Sequence, residues 1–150
     1  MRRPLHLASS PGGAMTRHEE IIRGIYRDLF ETGDTDLADR LVTTDFVDHA
    51  APPSPAPPGP DNLKATVAFL HSALGDIRYE VHEVLSAGDR AAYRATLTAT
   101  QHGPLFGHPP TGRRFSMQQI HMVRFDGDRI AEHWACRDDL GALRQLGHLS

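Results

Sequence analysis

The stretch Phe115–Asp138 constrains this chain more than any other, because it reads as a strand, a tight turn and a return strand. The turn is Asp126-Gly127-Asp128. An Asp-Gly pair between strand-like runs is a strong hairpin signal, since the favoured turns need positive φ at their centre. Before the turn runs FSMQQIHMVRF and after it RIAEHWACRDD. With an Asp126-Gly127 loop, Phe125 pairs with Asp128 and His121 falls opposite Glu132. With a Gly127-Asp128 loop, His121 falls opposite Trp134. Strand side chains alternate faces, so either register keeps His121, Glu132 and Trp134 together, with Met117, Gln119, Val123, Ile130 and Cys136. A three-residue loop would set His121 against His133 instead. The two-residue registers are favoured because they put Val123 and Phe125 on the side of Ile130 and Trp134. That face is mostly apolar with a few polar groups, which describes a pocket lining as well as a core.

The remaining chain supplies what such a face needs for cover. Thr16 and Glu19 form a capping box ahead of Ile21, Ile22, Ile25, Tyr26, Leu29 and Phe30, which recur at helical spacing. This predicts a helix over about 17–31, stopped by Gly33, and a short second one near 36–42 burying Leu37 and Leu41. Thr44–His49 is strand-like. Residues 50–60 hold six prolines, at 52, 53, 55, 57, 58 and 60, so they form an extended loop, either a pocket rim or a plain connector. Asp61 reads as the N-cap of a third helix with Leu63, Val67, Leu70 and Leu74 inward and Gly75 as its stop. The period then changes to two. Ile77–Ser86 and Arg90–His102 read as strands around Ala87-Gly88-Asp89. There Glu83 meets Arg94 on the face of Tyr79, Val81 and Leu85, as a ligand contact or as a structural salt bridge. Residues 103–114 form a loop, and Leu140, Leu143 and Leu146 suggest a closing helical turn. Helices followed by an antiparallel meander predict an α+β domain with helices covering one face of a curved sheet.

Composition narrows the function classes. The chain has 150 residues and a formal charge of −3, with basic and acidic residues interspersed. No basic stripe points to nucleic acid, and no apolar run reaches membrane-spanning length. One cysteine, Cys136, excludes an internal disulfide and fits a cytoplasmic location. The domain is expected over residues 16–150. Residues 1–15 read as a disordered extension, or residues 1–14 as the product of a start assigned upstream of Met15.

Several segments carry a family resemblance: DFVDHAAPPSPAPPGP, GPLFGHPPTGRRF, HMVRFDGDRIAEHW and RDDLGALRQLG. In order and spacing they resemble the SnoaL-like polyketide cyclases, also called ester cyclases, of the NTF2-like superfamily. The resemblance covers the chain from about Thr16 onward. It implies a cone made of a bent sheet wrapped around the N-terminal helix, a cavity inside the cone, and homodimers through the sheet's outer side. It also implies a cofactor-independent, metal-free aldol ring closure of a hydrophobic carbonyl compound, promoted by an acid/base aspartate on an inner strand. That strand's G-I-D-I-F-R pattern corresponds to Gln119-Ile120-His121-Met122-Val123-Arg124, which puts His121 where the family has aspartate. The family's T-H-x-G reads here as Thr100-Gln101-His102-Gly103, with the histidine one place along.

The chemistry follows from these groups. Aldol closure removes a proton from carbon next to a carbonyl and returns one to an oxygen, and imidazole does both near neutral pH. His121 is the expected base or acid, with Glu132 opposite it to hold the tautomer and stabilise imidazolium. The plain alternative is a hydrogen-bonded core histidine. Asp48 and His49 end the first strand at the expected pocket mouth, or else cap it. Trp134 supplies an apolar wall. Gln119, Met117, Tyr26, His102 and Arg94 complete the expected substrate contacts, although Tyr26 also suits simple core packing. His133 is expected at solvent or a dimer partner, and Arg137 and Asp138 are expected to tie down the tail helix. The ten histidines show no zinc-ligand spacing, and no Ser lies in a nucleophile-elbow context. A non-catalytic ligand-binding dimer, or an isomerase or hydrolase in the same cavity, are the other readings of such a chain.

Overall fold

The computed structural model describes residues 15–150, so the expectation for residues 1–14 lies outside the described residues. Thr16 Oγ1 accepts from the Glu19 backbone N–H at 3.2 Å and caps α1 (Arg17–Ile25), whose Ile21, Ile22 and Ile25 are buried. The helix continues as a π-helical turn over Tyr26–Phe30, closed by Glu31 N–H donating to Tyr26 O at 2.9 Å. Such widened turns recur at functional sites, and this one carries two cavity residues. A 3-10 turn (Thr35–Leu37) leads into α2 (Ala38–Leu41), where Ala38 is fully buried and Leu37 and Leu41 only partly.

β1 (Val42–Asp48) precedes the proline-rich loop and α3 (Pro60–Ala73). The N-cap of α3 is Gly59, not Asp61, because Pro60 fills the first helical position, where its missing N–H is no loss. Gly59 has φ 107°, and a Cβ there would sit 2.5 Å from the Thr44 carbonyl oxygen. Its N–H donates to Phe46 O at 2.8 Å, which pins the far end of the loop to β1.

The sheet comprises β1, β2 (Leu74–Ala87), β3 (Arg90–Gln101), β4 (Arg114–Asp126) and β5 (Arg129–Arg137), in the order β1-β5-β4-β3-β2. β1 runs parallel to β5 and all other pairs are antiparallel. The sheet is open, with β1 and β2 as edges. The α+β architecture is the expected one. α4 (Asp139–Gln145) closes the chain, capped by Asp138, which accepts from Gly141 N–H at 2.9 Å. Ala142 and Leu146 form its buried side, whereas Leu140 faces out.

Two bulges decide which side chains face the helices. In β2 the register shifts between Val81 and Val84. Tyr79 and Val81 therefore point inward, while Glu83 and Leu85 point outward, so these four do not share the single face expected of them. In β5 the turn is the Gly127-Asp128 form, with Asp126 opposite Arg129 and Phe125 opposite Ile130. The register then slips at Ala131, and beyond it Arg124 meets Glu132 and His121 meets Ala135. One extra residue on one strand reverses the parity of everything after it. The inner face is consequently Phe115, Met117, Gln119, His121, Val123 and Phe125 on β4, with Ile130, His133, Ala135 and Arg137 on β5. Glu132, Trp134 and Cys136 lie on the outer face.

The core has two apolar clusters. One joins α1, β1 and the first half of α3 to Val81, Tyr93, Val123, Phe125 and Ile130. The other joins Leu74, Ile77, Leu97, Phe115 and Met117 to α4 and Leu105 of the 103–113 loop. The space between them is not filled.

Candidate active site

A cavity of about 280 Å³ lies between the two clusters, on the helix-covered face of the sheet. Its walls are largely apolar: Phe30, Phe69, Leu70, Leu97, Phe115 and Met117, with Tyr26 and Tyr79. Ala50, Ala51, Pro52 and Pro53 form one side of its rim, and Phe106 the other. The stiff loop after Asp48 is thus a rim and not a plain connector.

A line of hydrogen bonds crosses the cavity wall. Asp48 Oδ1 accepts from His133 Nδ1 at 2.8 Å. His133 Nε2 lies 2.9 Å from His121 Nδ1, and His121 Nε2 lies 2.7 Å from Gln119 Oε1. Gln119 Nε2 donates to Met117 Sδ at 3.3 Å. Topology builds this line. The parallel pairing of β1 on β5 sets Asp48 beside His133, and the Ala131 bulge aims His133 diagonally at His121. Tyr93 stacks on His121 with ring centroids 4.9 Å apart, and the Tyr26 hydroxyl meets the Tyr93 hydroxyl at 2.6 Å.

Burial sets the charge states. Burial, together with the positive fields of His133 and Arg137, pushes the His121 pKa down to about 2, against a smaller opposing pull from Asp48. His121 is therefore neutral at any ordinary pH. Burial pushes the Asp48 carboxyl up, but its bond and charge contact with His133, the Ala50 N–H and Arg137 bring it below the usual carboxylate value. Burial raises the phenols of Tyr26, Tyr79 and Tyr93, so all three remain protonated donors.

Proton count links these states. Three contacts, Asp48–His133, His133–His121 and His121–Gln119, each need one proton. An ionised Asp48 and two neutral imidazoles supply only two. With Gln119 presenting Oε1, the Asp48–His133 pair must hold one extra proton. With the amide turned so that its NH₂ faces His121, no extra proton is needed. The line thus has two self-consistent forms that differ by one proton and the orientation of one amide.

Of the residues expected at a site, the structure brings His121, Gln119, Met117, Asp48 and Tyr26 to the cavity and leaves five outside it. Glu132 does not face His121. It pairs with Arg124 at 3.2 Å on the outer face and lies 3.7 Å from His49 Nε2. Trp134 is outside with it, stacked on His49 at 4.9 Å and covered by Arg90. The cause in both is the Ala131 bulge, and His49 follows because it lies one residue past inward-facing Asp48. Arg94 makes a two-pronged pair with Glu83 at 3.0 Å on the exposed side, since β3 alternation turns it away from Tyr93. His102 is exposed, because β3 ends at Gln101. Gln101 is buried in its place and donates to the carbonyls of Gly103, His108 and Pro109.

His133 and Arg137 are the cavity residues that alternation alone misplaced. Arg137 does not hold the tail helix but donates to Ala50 O at 2.8 Å. One sequence signal pointed to both: Ile130 and Ala131 are adjacent apolar residues just after the turn, a break in alternation that marks a bulge.

Among the described residues no helix is long and apolar enough to cross a membrane, and no group of three or more His, Cys, Asp or Glu is placed to hold a metal ion.

Comparison with known proteins agrees with this architecture. The chain is 31% identical over 119 residues to the nogalonic acid methyl ester cyclase of Streptomyces nogalater, covering 79% of this chain and 89% of that protein. It is 32% identical over 122 residues to an aklanonic acid methyl ester cyclase of Streptomyces peucetius, covering 80% and 84%. The solved structure of TsrD from Streptomyces laurentii superposes with a TM-score of 0.80 at 26% identity, over 89% of this chain and 96% of that one. The model of the SnoaL-like polyketide cyclases matches residues 20–146. With the helix-covered open sheet, the largely apolar cavity and a match running through nearly the whole described chain, this protein belongs to the SnoaL-like polyketide cyclase family.

Proposed function

We propose that this protein is an acid/base enzyme that closes a carbon–carbon bond within a hydrophobic carbonyl compound of polyketide type. The observation that carries the reading is the Asp48–His133–His121–Gln119 line on the wall of an apolar cavity. In the reactive form Gln119 swings aside, and His121 Nε2 presents a lone pair to the ligand. The C–H bond next to the carbonyl breaks and its proton goes to His121 Nε2. His121 Nδ1–H passes its own proton to His133 Nε2, and Asp48 stabilises the resulting imidazolium. The enolate carbon then bonds to a second carbonyl carbon, whose oxygen takes the proton back by the reverse path. The product is an isomer of the substrate, with no atoms lost. His121 serves as a relay, because a pKa held near 2 makes it a poor resting place for charge. His133, paired with Asp48, is the store.

Nogalonic and aklanonic acid methyl esters are the substrates to try, since the similar cyclases are named for them. Conversion to a product of unchanged mass, lost in His133→Ala, supports the reading. No turnover of either ester or of simpler enolisable ketones speaks against it.

A second reading has its own observation: every ring nitrogen of His121 and His133 has a protein partner. A wall so fully satisfied suits a non-catalytic binding module. In that case ligands bind, and the α-protons of a bound ketone exchange with D₂O no faster than in free solution. The reading also includes a homodimer through the outer sheet face, where Ile120 is 62% and Met122 38% exposed.

A further inference from the structure

Arg137 is the one Lys or Arg among the residues lining the cavity. It ends β5 directly opposite Gln119, on the same inner face. One guanidinium nitrogen, Nη1, donates to Ala50 O and so holds the proline-rich rim. Among the described residues no carboxylate forms an ion pair with Arg137. Asp48 is committed to His133 and the Ala50 N–H, and Asp139, also at the cavity, is exposed. Arg137 nevertheless acts on the line, since its charge lowers the pKa of both His121 and Asp48. A half-buried guanidinium with spare donors and no carboxylate in direct ion-pair contact favours an incoming anion, and its planar fork matches two oxygens at once. Tyr79, a second cavity residue, keeps its phenolic proton and makes no side-chain hydrogen bond with the described residues.

We propose that Arg137 is an anion subsite of the cavity, binding an oxyanion carried by a planar apolar ligand, either a carboxylate or an enolate. An oxygen held there, across from Gln119, places the neighbouring carbon toward His121 two residues along β4. The enolate source rests on the acid/base reading above, whereas the carboxylate source stands without it. Arg137 would then favour an acid over its ester, the reverse of what an apolar wall alone prefers.

The test uses binding, so it is separable from turnover. The full-length protein is titrated with 2-naphthoate and with methyl 2-naphthoate, followed by ligand fluorescence. Benzoylacetone is added in a third titration and read for the absorbance of its enolate. Three proteins are compared: wild type, Arg137→Gln and Arg137→Lys, each first checked by circular dichroism and thermal melting. The expected result is wild-type binding of the acid at least about tenfold tighter than the ester, the order of one charge-assisted hydrogen bond. The preference falls to within about twofold in Arg137→Gln and is largely kept in Arg137→Lys. An enolate spectrum in the wild type that is lost in Arg137→Gln supports the enolate source, even without acid preference. Equal binding of acid and ester with no enolate spectrum in the wild type overturns the proposal and needs no variant. Failure of the cyclase assay with an intact acid preference would sink the acid/base reading and leave this one standing.

Discussion

His121 Nδ1 lies 2.9 Å from His133 Nε2, although the residue facing His121 across the hairpin is Ala135. The contact is diagonal, and it exists because the Ala131 bulge turns His133 inward. It is also the link through which a carboxylate on the first strand, Asp48, reaches an imidazole on the fourth.

Removing that carboxylate's charge separates the acid/base reading from one based on Glu132. In Asp48→Asn, turnover of a cyclisable ester is expected to fall by about 10²–10⁴-fold, the usual contribution of a positioned acid/base group. Glu132→Gln, on the outer face, is expected to stay within about twofold of wild type. Steady-state rates on the two variants decide the matter, and the opposite ranking would return Glu132 to the site.

Acid should weaken the fold through His121. Its folded pKa, near 2, lies below the ordinary value of 6.5. The unfolded chain therefore binds a proton that the folded chain refuses. The stability this confers is fully present above about pH 6.5 and falls with pH through the window down toward the folded pKa. The slope is on the order of 1 kcal/mol per pH unit. Asp48 adds to the loss only below the usual carboxylate range, because its folded pKa is depressed. Thermal melts from pH 7 to pH 4.5 should show Tm dropping in wild type and a shallower drop in His121→Asn. Parallel slopes would refute the assignment.

Gln101 should behave as a structural residue. Its amide is fully buried and satisfies the Gly103, His108 and Pro109 carbonyls, while its Oε1 meets His148 Nε2 at 2.8 Å. Truncation to Ala removes the buried bond to the Gly103 carbonyl and the part-buried ones to Pro109 and His148, at roughly 1–3 kcal/mol. Urea denaturation measures this. A loss under 1 kcal/mol would mean that water replaces the amide.

The outer sheet face should mediate self-association. Ile120→Asp places a charge at its most exposed apolar position. Sedimentation velocity is expected to give a dimer for the wild type and a monomer for the variant, with the cavity chemistry retained. A wild-type monomer at micromolar concentration would remove the dimer from the reading.

Much of this protein could be read from its residues in order. The capping box at Thr16, the apolar spacing from Ile21 to Phe30, the prolines at 52–60 and the change to a two-residue period after Gly75 placed helices, an extended loop and strands. These signals are local, because they depend on backbone dihedrals and on which face of one element is apolar. The family segments supplied the enclosing architecture, and strand alternation on β4 correctly grouped Met117, Gln119 and His121.

The partner of His121 was decided elsewhere. A bulge is an energetic choice made across two strands, and here it lets both Ile130 and Ala131 be buried, with Ile130 opposite Phe125. One inserted residue exchanges Glu132 and Trp134 for His133 and Arg137. The approach of Asp48 depends on a parallel pairing between segments 85 residues apart. A break in alternation at Ile130-Ala131 marks where a bulge can form but not what it brings together, and nothing local reports the pairing of β1 with β5, so the imidazole was legible in the sequence and its proton partners became so only once the strands were joined.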